Sequence, residues 1–153
     1  MDSAFTLSDV SNIIDRCFNA NRVTDILNNL KNEKHPFADY CIKRIQEKSP
    51  IAQEVTLRLL RNAVNLDFHD VLLEEINAMK NLILHSKDFE IVMTNKILPQ
   101  EKREKFCKFS KKLSEITKKD VDFYFANQKE NLKNIHLEIK KNSLLPNRVH
   151  LTI

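Results

Sequence analysis

Glycine is entirely missing from this chain of 153 residues. Its absence excludes Gly-rich phosphate loops, dinucleotide-binding fingerprints and Gly-x-Ser-x-Gly elbows, because each needs a backbone conformation or a close approach that only Gly allows. It also argues against a strand-rich fold, whose hairpins use Gly for positive φ. Sixteen Asn residues are present, and Asn can take the left-handed position that ends many helices. The composition therefore favours an all-α fold.

The length of the chain suits a single domain. The charge along it is unevenly distributed. Residues 1–100 carry 12 basic and 14 acidic side chains, whereas residues 101–153 carry 13 basic and 7 acidic ones, a net +6. The basic part permits a polyanionic partner such as RNA, with Lys108, Lys111, Lys112, Lys118 and Lys119 as the expected contacts. Lysine pairs are most often solvated surface, so RNA is not the favoured partner.

The cysteines, the lengths of the apolar runs and the first residues give predictions about the compartment and about membrane association. Cys17, Cys41 and Cys107 have no metal or redox spacing, which predicts reduced thiols in a reducing compartment. No apolar run reaches the roughly 18 residues that cross a bilayer, so no membrane partner is expected. The first four residues contain an acid and no Arg, and they resemble neither a signal peptide nor a transit peptide.

Hydrophobic residues recur at helical spacing along the chain and predict six or seven helices. Ser49-Pro50 is the clearest start signal, because Ser caps free N–H groups and Pro fits the first helical position. The other helices are expected after Ser8, over 22–33, after Pro36, from Asp67 or His69, over 89–98 with Asp88 as cap, and from Thr117 towards Ile139.

Apolar stripes on these helices predict the core. The two central helices are expected to form an antiparallel pair, and Tyr40 is expected to face inward with its neighbours. Phe123-Tyr124-Phe125 is compatible with base stacking, but core packing is the better interpretation. The shared core of the central pair is predicted to contain Leu57, Leu60, Val64, Val71, Ile76 and Met79.

Candidate catalytic residues are sparse. No His lies at metal-ligand spacing from another His or a Cys, and nothing local supports a Cys–His nucleophile. The carboxylates Glu74, Glu75, Asp67 and Asp70 fit surface charges. We therefore assign no catalytic, cofactor-binding or metal-ligating residue and no cofactor. The scattered histidines are His35, His69, His85, His136 and His150.

Several segments resemble one known family. Cys17-Phe18-Asn19-Ala20-Asn21-Arg22-Val23 is similar to the "CFSANTV" segment of the 3-hydroxyisobutyryl-CoA hydrolases, a branch of the crotonase superfamily. The helix that begins at Ser49-Pro50 resembles their "SPTSLKITLRQL" helix, and His85–Phe89 resembles their "GHDF". The likeness also includes the stretches 26–30, 36–38 and 113–121, and it covers roughly residues 5–126.

The chain also departs from that pattern. The family's Glu-Gly-Val-Arg-Ala run is replaced by Glu90–Thr94, its Asp-Lys-Asp stretch has no counterpart, and Phe109 stands in for its Trp. The family's chemistry resides in a glycine-containing ββα core, which this chain lacks. The resemblance therefore implies the C-terminal helical part of a crotonase fold over residues 1–127, followed by a helix extension and loose tail over residues 128–153.

The resemblance leaves two functions open. The first is a partial hydrolase of valine breakdown, inactive alone, whose family cleaves 3-hydroxyisobutyryl-CoA to 3-hydroxyisobutyrate and CoA. The second is a non-catalytic, crotonase-like subunit of the mitochondrial ribosome's small subunit. Both imply a mitochondrial location. A helical cap without its core would expose an apolar face, so a protein partner is expected: a crotonase core, a second copy or a larger assembly. Acyl-CoA would bind only through such a core.

Overall fold

The computed structural model describes residues 6–103 and 107–126, which form seven α-helices and two short 3₁₀ helices without any β-strand in these two ranges. The predicted all-α fold with six or seven helices is confirmed. The predicted extension towards Ile139 and the tail from residue 142 lie outside the described residues. The α-helices are α1 Leu7–Phe18, α2 Val23–Asn32, α3 Pro36–Gln46, α4 Pro50–Ala63, α5 Phe68–His85, α6 Lys87–Ile97 and α7 Lys118–Phe125. The 3₁₀ helices are Gln100–Lys102 and Leu113–Glu115.

Three helices begin at caps that the sequence predicts. Ser49 Oγ accepts a hydrogen bond from the backbone N–H of Ala52 at 3.2 Å, and Pro50 opens α4. Asp67 caps α5 through the N–H of Asp70 at 2.9 Å. Thr117 and Asp120 cap α7 reciprocally, because each side chain accepts from the other residue's N–H. These side chains satisfy N–H groups that lack partners within the helix.

Two predicted caps are wrong. Helix α1 begins after Thr6 and includes Ser8 in its first turn. Helix α6 begins after Ser86, whose Oγ accepts from the N–H of Phe89, and Asp88 lies inside the first turn. The first residue after each α-helix is also not left-handed. Each residue that follows one of the seven α-helices has a φ between −61° and −88°, which any residue adopts.

The buried side chains form two clusters. The first lies among α1, α2 and α3, where Leu30 and Ala38 are fully buried. The second lies among α4, α5 and α7, with Val55 and Ala78 at its centre and Ile116 packed against them. The clusters are joined where Val23, at the start of α2, donates its N–H to the buried Glu54 of α4 at 3.2 Å. This junction places the start of α2 beside the middle of α4.

The predicted core of the central helix pair is largely wrong. Helices α4 and α5 do pack together, and Leu57 is partly buried. However, Leu60 is 65% exposed, and Val64, Ile76 and Met79 are exposed as well. The reason is that α5 turns a small and polar face inward. Its buried residues are Asn77, Ala78 and Asn81.

Small side chains explain this orientation of α5. Ala78 allows α7 to approach closely, and Asn81 Nδ2 donates to the backbone oxygen of Tyr124 at 2.8 Å. Because α7 occupies this face, the larger apolar residues of α5 turn outward. Tyr40 is also exposed, against the prediction, since the buried residue of α3 is Ala38.

Candidate functional site

The histidines of the described residues do not form a catalytic group. His35 caps α3, where its Nδ1 accepts from the N–H of Phe37 at 3.1 Å. His85 packs edge-on against Phe123, with ring centroids 5.6 Å apart. His69 is exposed between Asp67 and Asp70, and one ligand atom of each residue lies within 4.8 Å of the others. His136 and His150 lie outside the described residues.

The three cysteines are free thiols, as predicted. Burial raises the pKa of the Cys17 thiol, and the nearby Glu33 carboxylate raises it further. Burial also raises the pKa of Cys41. A raised pKa keeps the thiol protonated and makes it a poor nucleophile. Cys17 and Cys41 therefore act as small apolar residues in the α1–α3 cluster.

The candidate carboxylates and aromatic residues are either engaged in contacts between helices or exposed at the surface. Glu74 Oε1 accepts from Asn62 Nδ2 at 2.9 Å, between α5 and α4, while Glu75 is exposed. Tyr124 and Phe125 are buried, as the core interpretation predicts, but Phe123 is 53% exposed. The core packing predicted for this triplet is thus confirmed for Tyr124 and Phe125 and wrong for Phe123.

The predicted lysine patch does not face in one direction. Lys111 and Lys119 line a cavity of about 560 Å³ beside His85 and Phe123. Lys111 also lines a second cavity together with Lys112, and Lys118 lines a third. Lys111 is also paired with Asp120, at 2.6 Å between Nζ and Oδ1. The lysines therefore surround the start of α7 instead of forming a single surface.

Helices α5 and α6 expose a continuous apolar surface, which we call the apolar outer face. On α5 its residues follow one helical stripe and are 40–56% exposed. On α6 they recur every fourth residue. The two stripes meet at a cavity of about 420 Å³ that Ile83 shares with Met93 and Ile97. The apolar outer face comprises Leu72, Ile76, Met79 and Ile83 of α5 with Phe89, Met93 and Ile97 of α6.

A second surface feature is a cavity of about 400 Å³ between the start of α2, α4 and the start of α7, which we call the arginine cavity. Glu54 is only 6% exposed and lies at its inner wall. Burial raises the pKa of the Glu54 carboxyl, while the Val23 N–H and the Arg22 guanidinium oppose that rise. The basic residues around it are Arg22, Arg58, Arg61 and Lys118.

Sequence reasoning missed the arginine cavity. Glu54, Arg58 and Arg61 follow the spacing i, i+4, i+7 and share one face of α4. That charged stripe is visible in the sequence. The proximity of this stripe to Arg22 and Lys118 is not visible, because Arg22 precedes α2 and Lys118 begins α7.

Comparison with known proteins identifies the family. A model of the family described as "Enoyl-CoA hydratase/isomerase" matches residues 1–125. The mitochondrial 3-hydroxyisobutyryl-CoA hydrolases of Homo sapiens and Rattus norvegicus are each 27% identical over 124 residues, which cover 81% of this chain and 31% of the relative. The chain thus spans about a third of the length of the curated relatives it matches.

A solved structure gives the same result. A carnitinyl-CoA dehydratase from Mycobacterium thermoresistibile is 29% identical, with a TM-score of 0.65 over 82% of this chain and 35% of the dehydratase. Sequence and fold therefore agree on the match. This helical chain belongs to the enoyl-CoA hydratase/isomerase family, within the crotonase superfamily.

Proposed function

We propose that this chain is the helical part of a 3-hydroxyisobutyryl-CoA hydrolase-like enzyme, which releases CoA and 3-hydroxyisobutyrate in mitochondrial valine breakdown. The names of the mitochondrial hydrolases it resembles support this substrate and this location. The catalytic residues belong to a crotonase core that covers the apolar outer face. The core is either part of a longer chain or a separate polypeptide.

The exposure of the apolar outer face is the observation that carries the proposal. Soluble monomers rarely expose a contiguous apolar patch of more than a few hundred Å², so a surface of seven large apolar residues favours a partner. A crotonase core is the expected occupant, because the family's helical part packs on one. The match to about a third of the relatives' length also leaves room for such a core.

The chemistry of thioester hydrolysis explains why the chain is expected to be inactive alone. The attacking water creates an oxyanion, which needs N–H donors fixed at the developing charge, and loss of one such donor typically costs about a hundredfold or more. The described residues have no strand–helix junction to supply these donors. The helices would instead position and cover the core.

A chimera tests the proposal. The matched region of the human hydrolase is replaced by residues 1–125, and CoA release from 3-hydroxyisobutyryl-CoA is measured. We expect the chimera to turn over, and the isolated chain to show no turnover above a heat-inactivated sample. An inactive but folded chimera, or an active isolated chain, would contradict the proposal.

A pair of variants tests the docking surface within that chimera. Ile76→Asp places a charge in the covered apolar face, where burial is costly, and should reduce turnover at least about tenfold. Asn28→Asp introduces the same side chain at an exposed position of α2 and is the matched control. Equal activity of the two variants would show that the apolar outer face is not covered by the core.

The second candidate is a non-catalytic subunit of the mitochondrial ribosome. Of the five lysines predicted to contact RNA, only Lys111 has an ion pair among the described residues. The other four are exposed, which leaves their charges available to phosphates. Their divergence around the start of α7 makes this candidate the weaker one.

A further inference from the structure

We propose that the arginine cavity binds a phosphate-bearing ligand, namely a phosphate ester with an apolar portion. The inference does not depend on the hydrolase proposal, because no residue that lines the arginine cavity belongs to the apolar outer face. Its volume of about 400 Å³ falls within the roughly 300–1,000 Å³ of small-molecule sites.

The charge around the cavity favours an anion. Four basic side chains line it, and Glu54 is the one acidic residue among the lining residues. Asp122 lies outside the lining and is paired with Arg58. Asp25 also lies close enough to Glu54 to act on its carboxyl. When all three acids are counted against the four cations, a net charge of about +1 remains, which favours an anion.

The guanidinium groups are held in place by bonds that leave other donors free. Arg22 Nη2 donates to the backbone oxygen of Ile116 at 2.6 Å, and Arg61 Nη2 donates to the backbone oxygens of Phe18 and Ala20 at 2.7 and 2.9 Å. Arg22 Nε also forms an ion pair with Glu54 Oε1 at 3.9 Å. Each guanidinium has five N–H donors, so both groups retain N–H groups for a ligand. Fixed donors lose little entropy on binding.

Arg58 is held by an ion pair and by a contact with an aromatic ring. Its Nη1 pairs with Asp122, and its guanidinium carbon lies 4.4 Å from the centre of the Phe125 ring. Stacking on a buried ring and one ion pair fix the plane of the guanidinium. Planar guanidinium groups bind two phosphate oxygens at once, which favours phosphate over a single-point anion.

Lys118 adds an exposed charge to the lining of the cavity. It is exposed and forms no ion pair with any residue in the described ranges. Val121, one turn further along α7, supplies a buried apolar wall. The cavity therefore combines phosphate donors with an apolar surface, which is the reason for proposing an ester.

Isothermal titration of the full chain tests the inference with phenyl phosphate and inorganic phosphate as probes. We expect both to bind, and phenyl phosphate to bind more tightly because its ring reaches the apolar wall. No heat of binding for either probe up to about 10 mM would overturn the proposal. Tighter binding of inorganic phosphate would overturn the assignment to an ester.

Three variants test whether phenyl phosphate binds in the arginine cavity. Lys118→Gln should weaken phenyl phosphate binding about three- to tenfold, since a partly solvated charge-assisted contact is lost. Lys119→Gln removes the same charge from the adjacent residue, which lines another cavity, and should leave the affinity unchanged. Glu54→Gln removes the carboxylate at the inner wall and should tighten binding. Equal loss in the two lysine variants, or weaker binding by a folded Glu54→Gln variant, would show that no specific site exists here.

Discussion

Ser49 Oγ donates a hydrogen bond to Asp88 Oδ2 at 2.6 Å, although 39 positions separate the two residues in sequence. Asp88 is only 2% exposed. Its other oxygen, Oδ1, accepts from the N–H and the Oγ of Ser110, at 2.9 and 2.8 Å. One buried carboxylate therefore joins the start of α4, the first turn of α6 and the segment before α7.

The first prediction concerns this connection. Ser49→Ala removes the N-cap of α4 and one charge-assisted hydrogen bond to Asp88, and should lower the free energy of unfolding by about 2–4 kcal/mol. Chemical denaturation monitored by circular dichroism measures the loss. Ser114→Ala, at an exposed serine, is the control and should stay within about 0.5 kcal/mol of wild type. Equal effects of the two changes would contradict the role of Ser49.

The second prediction compares two leucines. Leu30 is fully buried in the α1–α3 cluster, so Leu30→Ala should cost about 2–5 kcal/mol. Leu60→Ala should cost less than about 1 kcal/mol in the isolated chain, because Leu60 is 65% exposed. Thermal melts of both variants provide the test. A large loss of stability for Leu60→Ala would show that Leu60 is buried, as predicted from the sequence, and would contradict its exposure in the structure.

The helices could be predicted from the sequence because their signals are local. Ser49-Pro50 and the Thr117–Asp120 pair mark helix starts through contacts within one turn. The orientation of α5 could not be predicted in the same way. Its apolar stripe has the same period whether it faces a core or a partner, and the small residue Ala78 decides which face α7 covers.

The contacts of Asp88 and the residues of the arginine cavity could not be predicted from the sequence for a related reason. Asp88 was expected to cap α6, but its partners are Ser49 and Ser110, 39 and 22 positions away. The arginine cavity likewise combines residues of α4 with the starts of α2 and α7. Spacing rules describe neighbours on one helix. They cannot predict which polar groups meet across 31 or more residues, as the Val23 N–H and the Glu54 carboxylate do.

The third prediction follows from the raised pKa of Glu54. The folded state holds the Glu54 proton more strongly than the unfolded chain. The buried carboxylate therefore destabilises the fold once the pH rises above 4.5, the ordinary pKa of a Glu side chain. Glu54→Gln should therefore raise the melting temperature at pH 7, and the gain should disappear near pH 4. Glu90→Gln, at an exposed position of α6, is the matched control. A lower melting temperature for Glu54→Gln at pH 7 would contradict the prediction.

The fourth prediction concerns acid stability. Hydrogen bonds from Lys111 and Thr117 lower the pKa of Asp120 from 3.8 to about 2. The carboxylate therefore stabilises the folded state above about pH 4, and this contribution is lost as the pH falls towards 2. Asp120→Asn should cost about 1 kcal/mol at pH 7 through the weakened cap of α7, and should flatten the decline in stability over that acid range. Asp15→Asn makes the same charge change at an exposed position, and an equal flattening in that variant would refute the assignment.

The last prediction separates the hydrolase from the ribosomal alternative. Four lysines, at positions 111, 112, 118 and 119, are replaced by Gln, and binding to ribosomal RNA is measured by filter titration at two salt concentrations. Phosphate contacts release counterions, so a ribosomal subunit should show a log–log salt slope of about −0.7 to −0.9 per phosphate, which the variant flattens by about three to four. We expect negligible RNA binding by wild type and variant at about 0.15 M salt, because the lysines diverge around α7 and Lys111 is already paired. Tight, salt-sensitive binding that the variant loses would instead favour the ribosomal role, since a small phosphate ester in the arginine cavity involves only Lys118 of these four lysines.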